Sequence, residues 1–462
     1  MVDRIPDRQS RHLCGPVRRA ATFRSAVLAV ALTAVLPTLA AAEPFKHNAG
    51  ELDGPVVAPW KTITPDPAYS GQWLVAGDLN GDGQAEIVTA RQDRQRVTTV
   101  LATQLDGSVL WRWGKANTGA PQLSYDVPVQ IYDLDSRNGL EVYLSIERYL
   151  LVLDGRTGNE LRRLPLPDGL AVADCITFAN LRGGAHSQDI IIKDRYSQLW
   201  AYTDDWRLLW HWRPQRYKTC HHPTLVDIDA DGRDEVMAGY TLLDDNGHEL
   251  WTMTSDKVDL GRGHLDCCEI LASGKTPAEF RLLVSCCGAD YLALLDGNGK
   301  TLWDLAGRHF ESIDVGRLSR AGPGPQIAVD IAHRAYQKGT IEVLAADGSL
   351  LGEYVCGDSR HHRLIDWNGD GLEEILVGQE QRLLDASGRC LARFGPLDAF
   401  RRPTPVPPDE DHEPFAMVGD LDGDERPEII LYSSRKILIY RSEKAAKVPA
   451  LKLGTGVNLT LY

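Results

Sequence analysis

The sequence lacks three features that would place it in common protein classes. Beyond residue 42, no stretch repeats its apolar residues with sustained helical spacing, which argues against a helical fold. Basic residues are in deficit, with 50 Lys and Arg against 64 Asp and Glu and a net charge of −14. A nucleic-acid partner is therefore excluded, because phosphate binding needs a basic face. An acidic chain that binds an acidic ligand must instead concentrate its cationic groups locally.

A long hydrophobic span is also lacking. The apolar stretch at residues 25–40 contains Pro37 and falls short of the roughly 20 residues that a transmembrane helix needs. Ala40, Ala41 and Ala42 supply small residues for cleavage, and six arginines precede the stretch: Arg4, Arg8, Arg11, Arg18, Arg19 and Arg24. The sequence predicts a signal peptide over 1–42, a periplasmic or secreted location, and no transmembrane segment after cleavage.

Cysteine is present in moderate number after the signal peptide. The eight residues are Cys175, Cys220, Cys267, Cys268, Cys286, Cys287, Cys356 and Cys390. An even number in an oxidising compartment favours disulfides, whose connectivity the sequence leaves open. For the two vicinal pairs, 267–268 and 286–287, cross-strand disulfides are the preferred interpretation.

A repeat runs through the whole mature chain. Its pattern is apolar-Asp-x-Asp/Asn-x-Asp-Gly-x-x-Glu-apolar, as in GDLNGDGQAEIV, VDIDADGRDEVM, IDWNGDGLEEIL and GDLDGDERPEII. A degenerate copy, YDLDSRNGLEVY, and three acid-poor copies keep the same phase, with spacings of 42 to 55 residues. Each copy has β-branched runs on both sides of the loop, and most copies then have a hairpin turned by Asp-Gly or Asn-Gly chemistry.

Four short strands repeated radially are typical of propeller blades. The sequence therefore predicts an all-β fold, a single eight-bladed β-propeller over 43–462, with seven blades and an irregular insert as the alternative. The blades are expected to start near residues 73, 127, 172, 222, 264, 311, 361 and 413. Residues 56–61 are expected to complete the last blade, and the proline-rich stretch 400–414 is expected to form a surface loop.

The acidic loops have the spacing of a site for a hard cation. Oxygen ligands at positions 1, 3, 5 and 9 suit calcium, whereas a polar turn alone does not explain one spacing repeated four times. Several Ca²⁺ ions with a mainly structural role are predicted, on ligands from five loops: Asp78, Asn80, Asp82 and Glu86; Asp133, Asp135 and Glu141; Asp227, Asp229, Asp231 and Glu235; Asp366, Asn368, Asp370 and Glu374; Asp420, Asp422, Asp424 and Glu428. These loops resemble those of FG-GAP/VCBS repeat propellers.

Histidines recur in one phase of the repeat. The residue five positions before each loop is, in order, Trp73, Pro128, Asp174, His222, His264, Ser312, His361 and Phe415. Because the first strand of a propeller blade is innermost, its starting residues converge on one funnel, opposite the calcium loops. The second strand returns to that face and brings Arg195-Tyr196 and Arg334-Tyr336 there. His, Arg and Tyr together suit an anionic ligand, since Arg offers a bidentate fork to a carboxylate.

Transition-metal binding is the alternative role for the histidines. Imidazole and thiolate suit zinc, and the ligands would be Cys220, His222, His264 and Cys267. A vicinal disulfide would also fit quinone-cofactor dehydrogenases, although their repeated tryptophan motif occurs here only in fragments.

Three segments, HHPTLVDIDADGRDEVMAGYTLLDDNGHELW, GRGHLDCCEI and ESIDVGRLSRAGPGPQIAVDI, resemble the propeller of rhamnogalacturonan lyases of polysaccharide lyase family 11. Lyases that act at rhamnose–glucuronate linkages, including ulvan lyases, offer a second comparison. The resemblance implies a calcium-binding enzyme that cleaves an acidic polysaccharide or oligosaccharide by β-elimination, and the chain is expected to be a monomer. The implied residues are Arg195 or Arg334 as neutraliser of the uronate, His222 or His264 as base, and Tyr196 or Tyr336 as acid, and His361 is a further catalytic candidate from the same repeat phase. The alternative is a non-catalytic propeller that binds a glycan or protein at the cell surface.

Overall fold

The computed structural model describes residues 43–123, 127–136, 139–320, 324–333, 338–357, 362–397, 399–400 and 414–447. The predicted signal peptide and most of the stretch 400–414 lie outside the described residues. In the described part, no helix is long and apolar enough to cross a membrane. Three single-turn 3-10 segments occur, Ala49–Glu51, Leu260–Arg262 and Pro277–Glu279, and the remaining regular structure is strand.

Eight sheets of the described residues form the blades, which confirms the predicted eight-bladed propeller. Three N-terminal strands, β1 (Phe45–Asn48), β2 (Val56–Val57) and β3 (Lys61–Ile63), come before the first blade. Blades 1 to 4 contain β4 (Trp73–Gly77), β5 (Glu86–Asp93), β6 (Arg96–Thr103) and β7 (Val109–Gly114); β8 (Val129–Tyr132), β9 (Glu141–Ile146), β10 (Tyr149–Asp154) and β11 (Glu160–Pro165); β12 (Cys175–Ala179), β13 (Asp189–Lys193), β14 (Leu199–Thr203) and β15 (Leu208–Trp212); β16 (Thr219–Val226), β17 (Glu235–Gly239), β18 (Thr241–Leu243) and β19 (Glu249–Thr252).

Blades 5 to 8 continue the pattern. They contain β20 (Cys267–Ala272), β21 (Arg281–Cys286), β22 (Tyr291–Asp296) and β23 (Thr301–Ala306); β24 (Phe310–Gly316), β25 (Gln326–His333), β26 (Lys338–Ala345) and β27 (Leu350–Cys356); β28 (Arg363–Ile365), β29 (Glu374–Val377), β30 (Arg382–Leu384) and β31 (Cys390–Phe394); β32 (Phe415–Gly419), β33 (Glu428–Tyr432) and β34 (Ile437–Tyr440). First strands of successive blades contact each other, from β4 with β8 to β28 with β32.

The N-terminal strands close the ring differently from the prediction. The last blade is completed by β3, which pairs antiparallel with β34 through residues 61–63. Residues 56–57 instead form β2, which pairs parallel with β31 as a fifth strand of blade 7, and β1 adds in the same way to β27 of blade 6. The prediction that 56–61 completes the last blade was therefore wrong for Val56 and Val57, whereas Trp60 donates its backbone N–H to Ile439 of that blade at 2.7 Å and Lys61 pairs with it. The short apolar run contains no signal for which sheet edge each part joins.

Burial explains the pattern of apolar and polar residues along each strand. The middle strand β13 is buried along its whole length, because its sheet packs against a neighbouring blade on each face. Such strands carry continuous apolar runs rather than alternation. The outermost strand β11, by contrast, alternates between exposed and half-buried residues.

Tryptophans of the outer strands connect adjacent blades. Trp111 of blade 1 donates from Nε1 to the carbonyl of Gly155 in blade 2, at 2.6 Å, and a Cβ on Gly158 would lie 2.6 Å from the Trp111 ring. The same arrangement joins Trp251 to the hairpin with Gly299 and Trp303 to the hairpin with Gly348. The Asp-Gly or Asn-Gly hairpin thus needs glycine both for its positive φ and for the tryptophan above it.

The eight cysteines are free thiols, and seven of them are buried. The prediction of cross-strand disulfides between the vicinal pairs was wrong. In the β20–β21 register Cys267 faces Ser285 and Cys268 faces Val284, so the cysteines of the two strands are not opposite each other.

Candidate functional site

The acidic loops join the first and second strands of their blades. In the loop after β4, Asp78 accepts backbone N–H groups of Gly81 and Gly83, at 2.7 and 3.0 Å, while Glu86 accepts from Leu79. The loops that begin at Asp227, Asp366 and Asp420 repeat this arrangement. Carboxyl oxygens converge within 4.8 Å of one another in three loops, as Asp227, Asp229 and Asp231; Asp366, Asp370 and Glu374; and Asp420, Asp422 and Glu428. These donors fit a calcium ion.

Burial disfavours the ionised form of the glutamate at the last position of these loops when no cation is bound. Burial, together with the neighbouring aspartates, raises the pKa of Glu235 to about 7 and the pKa values of Glu374 and Glu428 to about 8. A bound cation would offset the repulsion between each glutamate and the aspartates of its loop.

At the degenerate loop and at the last loop, an arginine within 3 Å of a carboxylate already supplies positive charge. Arg162 lies 2.9 Å from Glu141 of the degenerate loop, whose carboxyl also accepts from Tyr143. Arg441 lies 2.9 Å from Asp422 and 3.3 Å from Asp424 of the last loop. In the predicted site with Asp133, Asp135 and Glu141, Arg162 thus already neutralises the carboxylate of Glu141. In the last loop, a bound cation would compete with Arg441 for Asp422 and Asp424.

Removing calcium with EDTA is expected to lower the melting temperature. Each occupied loop contributes about 2.7 kcal/mol to the free energy of unfolding when free calcium is about 100 times its Kd. Asp366→Asn should reduce the calcium-dependent part of the shift, whereas Asp347→Asn, in a hairpin of blade 6, should leave it unchanged. Thermal unfolding with and without calcium measures both, and equal melting temperatures would contradict structural calcium.

On the opposite face, three side chains from three blades meet at the funnel. Tyr196 lies in the β13–β14 hairpin of blade 3, His221 in β16 of blade 4, and His264 just before β20 of blade 5. The Tyr196 hydroxyl is 3.3 Å from Nε2 of His221 and 3.4 Å from Nε2 of His264. The two Nε2 atoms are 2.9 Å apart.

Asp266 lies beneath the two imidazoles. Its Oδ1 is 3.2 Å from Nε2 of His221 and 3.2 Å from Nε2 of His264. The Asp266 side chain is buried. Two imidazoles and a buried carboxylate oxygen at mutual distances of about 3 Å also fit a divalent cation.

Arg195 is held beside this cluster by a buried ion-pair network. Its Nη1 is 3.2 Å from Oδ1 of Asp174, whose Oδ2 is 2.8 Å from the ammonium of Lys193. Lys193 also donates to the carbonyl of Arg195 at 2.8 Å. The guanidinium lies 4.9 Å from the centre of the Tyr196 ring and a quarter of its side chain is exposed. A rigid, partly accessible cation therefore adjoins the Tyr–His cluster.

Electrostatics set the protonation of the cluster. Burial, reinforced by the cations of Lys218 and Arg195, lowers the pKa of His264 to about 4. Burial also raises the pKa of the Tyr196 hydroxyl. At neutral pH His264 is thus an unprotonated imidazole and Tyr196 a protonated phenol, which makes one a proton acceptor and the other a donor.

A groove of about 530 Å³ leads away from Arg195 over blades 1 to 3. Its lining includes Arg94 and Arg96 of the β5–β6 hairpin, Glu147, and the loop residues 169–172. The three arginines of this lining, Arg94, Arg96 and Arg195, are matched by three carboxylates, Asp93, Glu147 and Asp194, so the groove has no local excess of cations.

The predicted site residues divide into three groups. Tyr196, His264 and Arg195 lie together, as described above. His222 does not join them: its Nε2 is 3.2 Å from the hydroxyl of Thr177, and the adjacent His221 occupies the funnel instead. His361, Arg334 and Tyr336 lie outside the described residues.

The predicted zinc set is not brought together. The Cys220 thiol faces the carbonyl of Met237, and the Cys267 thiol faces Glu269 and the carbonyl of Ile313. Of the four residues of that set, His264 alone lies in a cluster with two histidines that could hold a metal, formed by His221, His264 and Asp266. Sequence reasoning missed Asp174, although it shares the repeat phase of His222 and His264, and it missed Lys193 and Asp266, for which the repeat gives no signal.

Comparison with known proteins gives distant relatives. No family model matches the sequence. Rhamnogalacturonan endolyase YesW of Bacillus subtilis (strain 168) is 24% identical over 375 residues, which cover 67% of this chain and 57% of that protein. The chain thus spans just over half the length of this curated relative.

Solved structures agree in fold. The Bacillus licheniformis rhamnogalacturonan lyase PL11 superposes with a TM-score of 0.59 at 19% identity, covering 89% of this chain and 76% of that one. The exotype rhamnogalacturonan lyase YesX gives 0.58 at 19%, covering 85% and 76%, and the V. cholerae biofilm matrix protein Bap1 gives 0.54 at 14%, covering 87% and 93%. The resemblance to rhamnogalacturonan lyase propellers that the sequence predicts is confirmed.

Proposed function

We propose that this protein is an exported polysaccharide lyase that cleaves a uronate-containing glycan by β-elimination at the funnel. The observation that carries the proposal is the contact of Tyr196 with His264 beside the guanidinium of Arg195, which Asp174 holds in place through an ion pair. The similarity to a rhamnogalacturonan endolyase supports the same class of substrate, a glycan with rhamnose and uronate.

In the proposed reaction, Arg195 binds the uronate carboxylate and offsets the negative charge that develops when C5 loses its proton. Nε2 of His264 accepts that proton. The electron pair forms the C4–C5 double bond as the C4–oxygen bond breaks, and Tyr196 protonates the departing oxygen. Positioned proton transfer of this kind contributes about 10²–10⁴-fold, and charge stabilisation of the enolate is the larger effect.

A cation held by His221, His264 and Asp266 would supply a second means of neutralising the carboxylate. An Nε2 atom that binds a cation has no lone pair for the substrate proton, so the two versions differ in their response to chelation. If His264 is the base, phenanthroline, which removes transition metals and spares calcium, should leave the rate unchanged in a Cys287→Ser variant, which lacks the neighbouring thiol. Loss of activity in that variant that zinc or manganese restores would instead assign His264 to metal binding.

The lyase proposal predicts an unsaturated uronate product. Purified mature protein with calcium should raise the ultraviolet absorbance of rhamnogalacturonan, ulvan or gum arabic, and His264→Ala should abolish the rise. His248→Ala is the matched control, because His248 is an exposed residue of an outer hairpin. A flat trace with every glycan from folded protein would reject the lyase and favour a binding propeller, which glycan-binding calorimetry on the same panel would then test.

A further inference from the structure

A second cluster of ligating side chains lies next to the first. Cys287 follows β21 of blade 5, while His309 and Glu311 come from the start of blade 6. The Cys287 thiol is 3.1 Å from Nε2 of His309, and the same Nε2 is 3.0 Å from Oε1 of Glu311. Cys287 and Glu311 are buried, so their convergence is not a chance contact of mobile surface side chains.

Asp290 fixes the orientation of the histidine. Its Oδ1 lies 3.2 Å from Nδ1 of His309. When Nδ1–H donates to this carboxylate, Nε2 presents its lone pair to the thiol and to Glu311. Metal-binding histidines usually donate this second ring N–H to a carboxylate, a backbone carbonyl or a water, which sets the tautomer and strengthens the ligand. A proton or a metal ion can occupy the space between these three donors, and a metal ion can bind all three at once.

We propose that Cys287, His309 and Glu311 form a metal site for a borderline-soft divalent ion such as Zn²⁺. Zinc takes thiolate, imidazole and carboxylate together, whereas calcium takes oxygen ligands. The site is distinct in ligand chemistry from the acidic loops on the opposite face, and it does not depend on the proposed lyase activity.

The two funnel clusters are physically connected through Asp266. Its Oδ1 faces His221 and His264, and its Oδ2 accepts the backbone N–H of Cys287 at 2.8 Å. A cation bound by the thiolate therefore lies beside the Tyr–His cluster, where it adds positive charge to the funnel.

A catalytic role for Cys287 as a nucleophile is the alternative, since it would use the same contacts of Cys287 with His309 and of His309 with Asp290. A Cys–His pair with an orienting carboxylate is the arrangement of a thiol activated for covalent catalysis. Glu311 distinguishes the two, because its carboxylate shares the nitrogen that a catalytic base would reserve for the thiol proton. The donor set as a whole thus favours a metal.

Cobalt substitution tests the site by its thiolate. Mature protein held in calcium and titrated with Co²⁺ should develop a thiolate-to-cobalt charge-transfer band in the near ultraviolet. The band should disappear in Cys287→Ser and persist in His264→Ala, because the other cluster contains no sulfur. Cys390→Ser, which changes a half-buried thiol on an outer strand, is the matched control and should keep the band.

Alkylation of the unaltered protein gives a second measurement that needs no variant. Zn²⁺ should protect Cys287 from iodoacetamide, as read by peptide mass spectrometry, while calcium should not. No charge-transfer band, or alkylation of Cys287 at the same rate with and without zinc, would overturn the proposal. A band lost equally in Cys287→Ser and His264→Ala would overturn the separate site and indicate one composite site. None of these results depends on lyase activity.

Discussion

Replacing Tyr196 by phenylalanine is expected to lower kcat of the proposed lyase by about 10²–10⁴-fold, the usual contribution of one positioned acid or base. The change removes only the hydroxyl that contacts His221 and His264, so KM should change little and the fold should be unaffected. Initial rates of unsaturated product on the glycan that the wild-type protein cleaves provide the measurement.

The chain contains its own control for this variant. Tyr149 stands after Arg148 in the β9–β10 hairpin of blade 2, as Tyr196 stands after Arg195 in blade 3, but its described ring contact is with Arg163. Tyr149→Phe should retain activity. A Tyr196→Phe protein that keeps more than about a tenth of wild-type kcat would remove Tyr196 from the role of acid, since that loss is below the range for such catalysis.

Replacing Asp174 by leucine is expected to cost about 3–5 kcal/mol in the free energy of unfolding, because it leaves a buried ammonium without its counter-charge. Lys193 is fully buried and its ion-pair partner is Asp174, at 2.8 Å. Urea titration should show a lower midpoint. Arg195 also loses its carboxylate, so the activity of the remaining folded protein should fall as well.

The double variant Asp174→Leu with Lys193→Met separates charge from packing. It removes both buried charges, and it should recover most of the stability that the single variant loses. A double variant no more stable than Asp174→Leu would show that the network stabilises by shape rather than by charge.

Acid should affect the wild type and Asp174→Leu differently. The ammonium of Lys193 overcomes the effect of burial and holds the pKa of Asp174 below its usual 3.8. A lowered carboxyl pKa gives stability that is present above the unfolded value and lost as pH falls through the folded value. The free energy of unfolding of Asp174→Leu should therefore fall less than that of the wild type as pH is lowered through this range, as urea titrations at several pH values would measure.

Local sequence was enough to predict the architecture. The repeated loop, the β-branched runs and the glycine hairpins each act over about ten residues, and their common phase set the number of blades. Likewise, the carboxylates of a calcium loop are neighbours in the chain, so spacing alone placed Asp227, Asp229 and Asp231 together. The edge that each N-terminal strand joins was not predictable, because pairing between distant strands depends on which sheet edge remains open.

The residues that face the funnel could be identified only from the tertiary structure. Strand periodicity places His221 and His222 on opposite sides, but only the observed strand shows which one faces the funnel. β16 loses regular register between Thr219 and Thr224, and the His221 N–H bonds to Leu265 of the next blade. That shift turns His221 toward His264.

What the sequence by itself determined is therefore the part of the protein built from neighbouring residues: eight blades, their hairpins and the acidic loops. The tertiary structure decided the chemistry of the funnel, because its groups come from separate blades. Asp174 and Lys193, Tyr196, His221, and His264 with Asp266 come from three consecutive blades and are adjacent only because the first strands of these blades pack against one another. Their charges and burial then fix the protonation that each one shows.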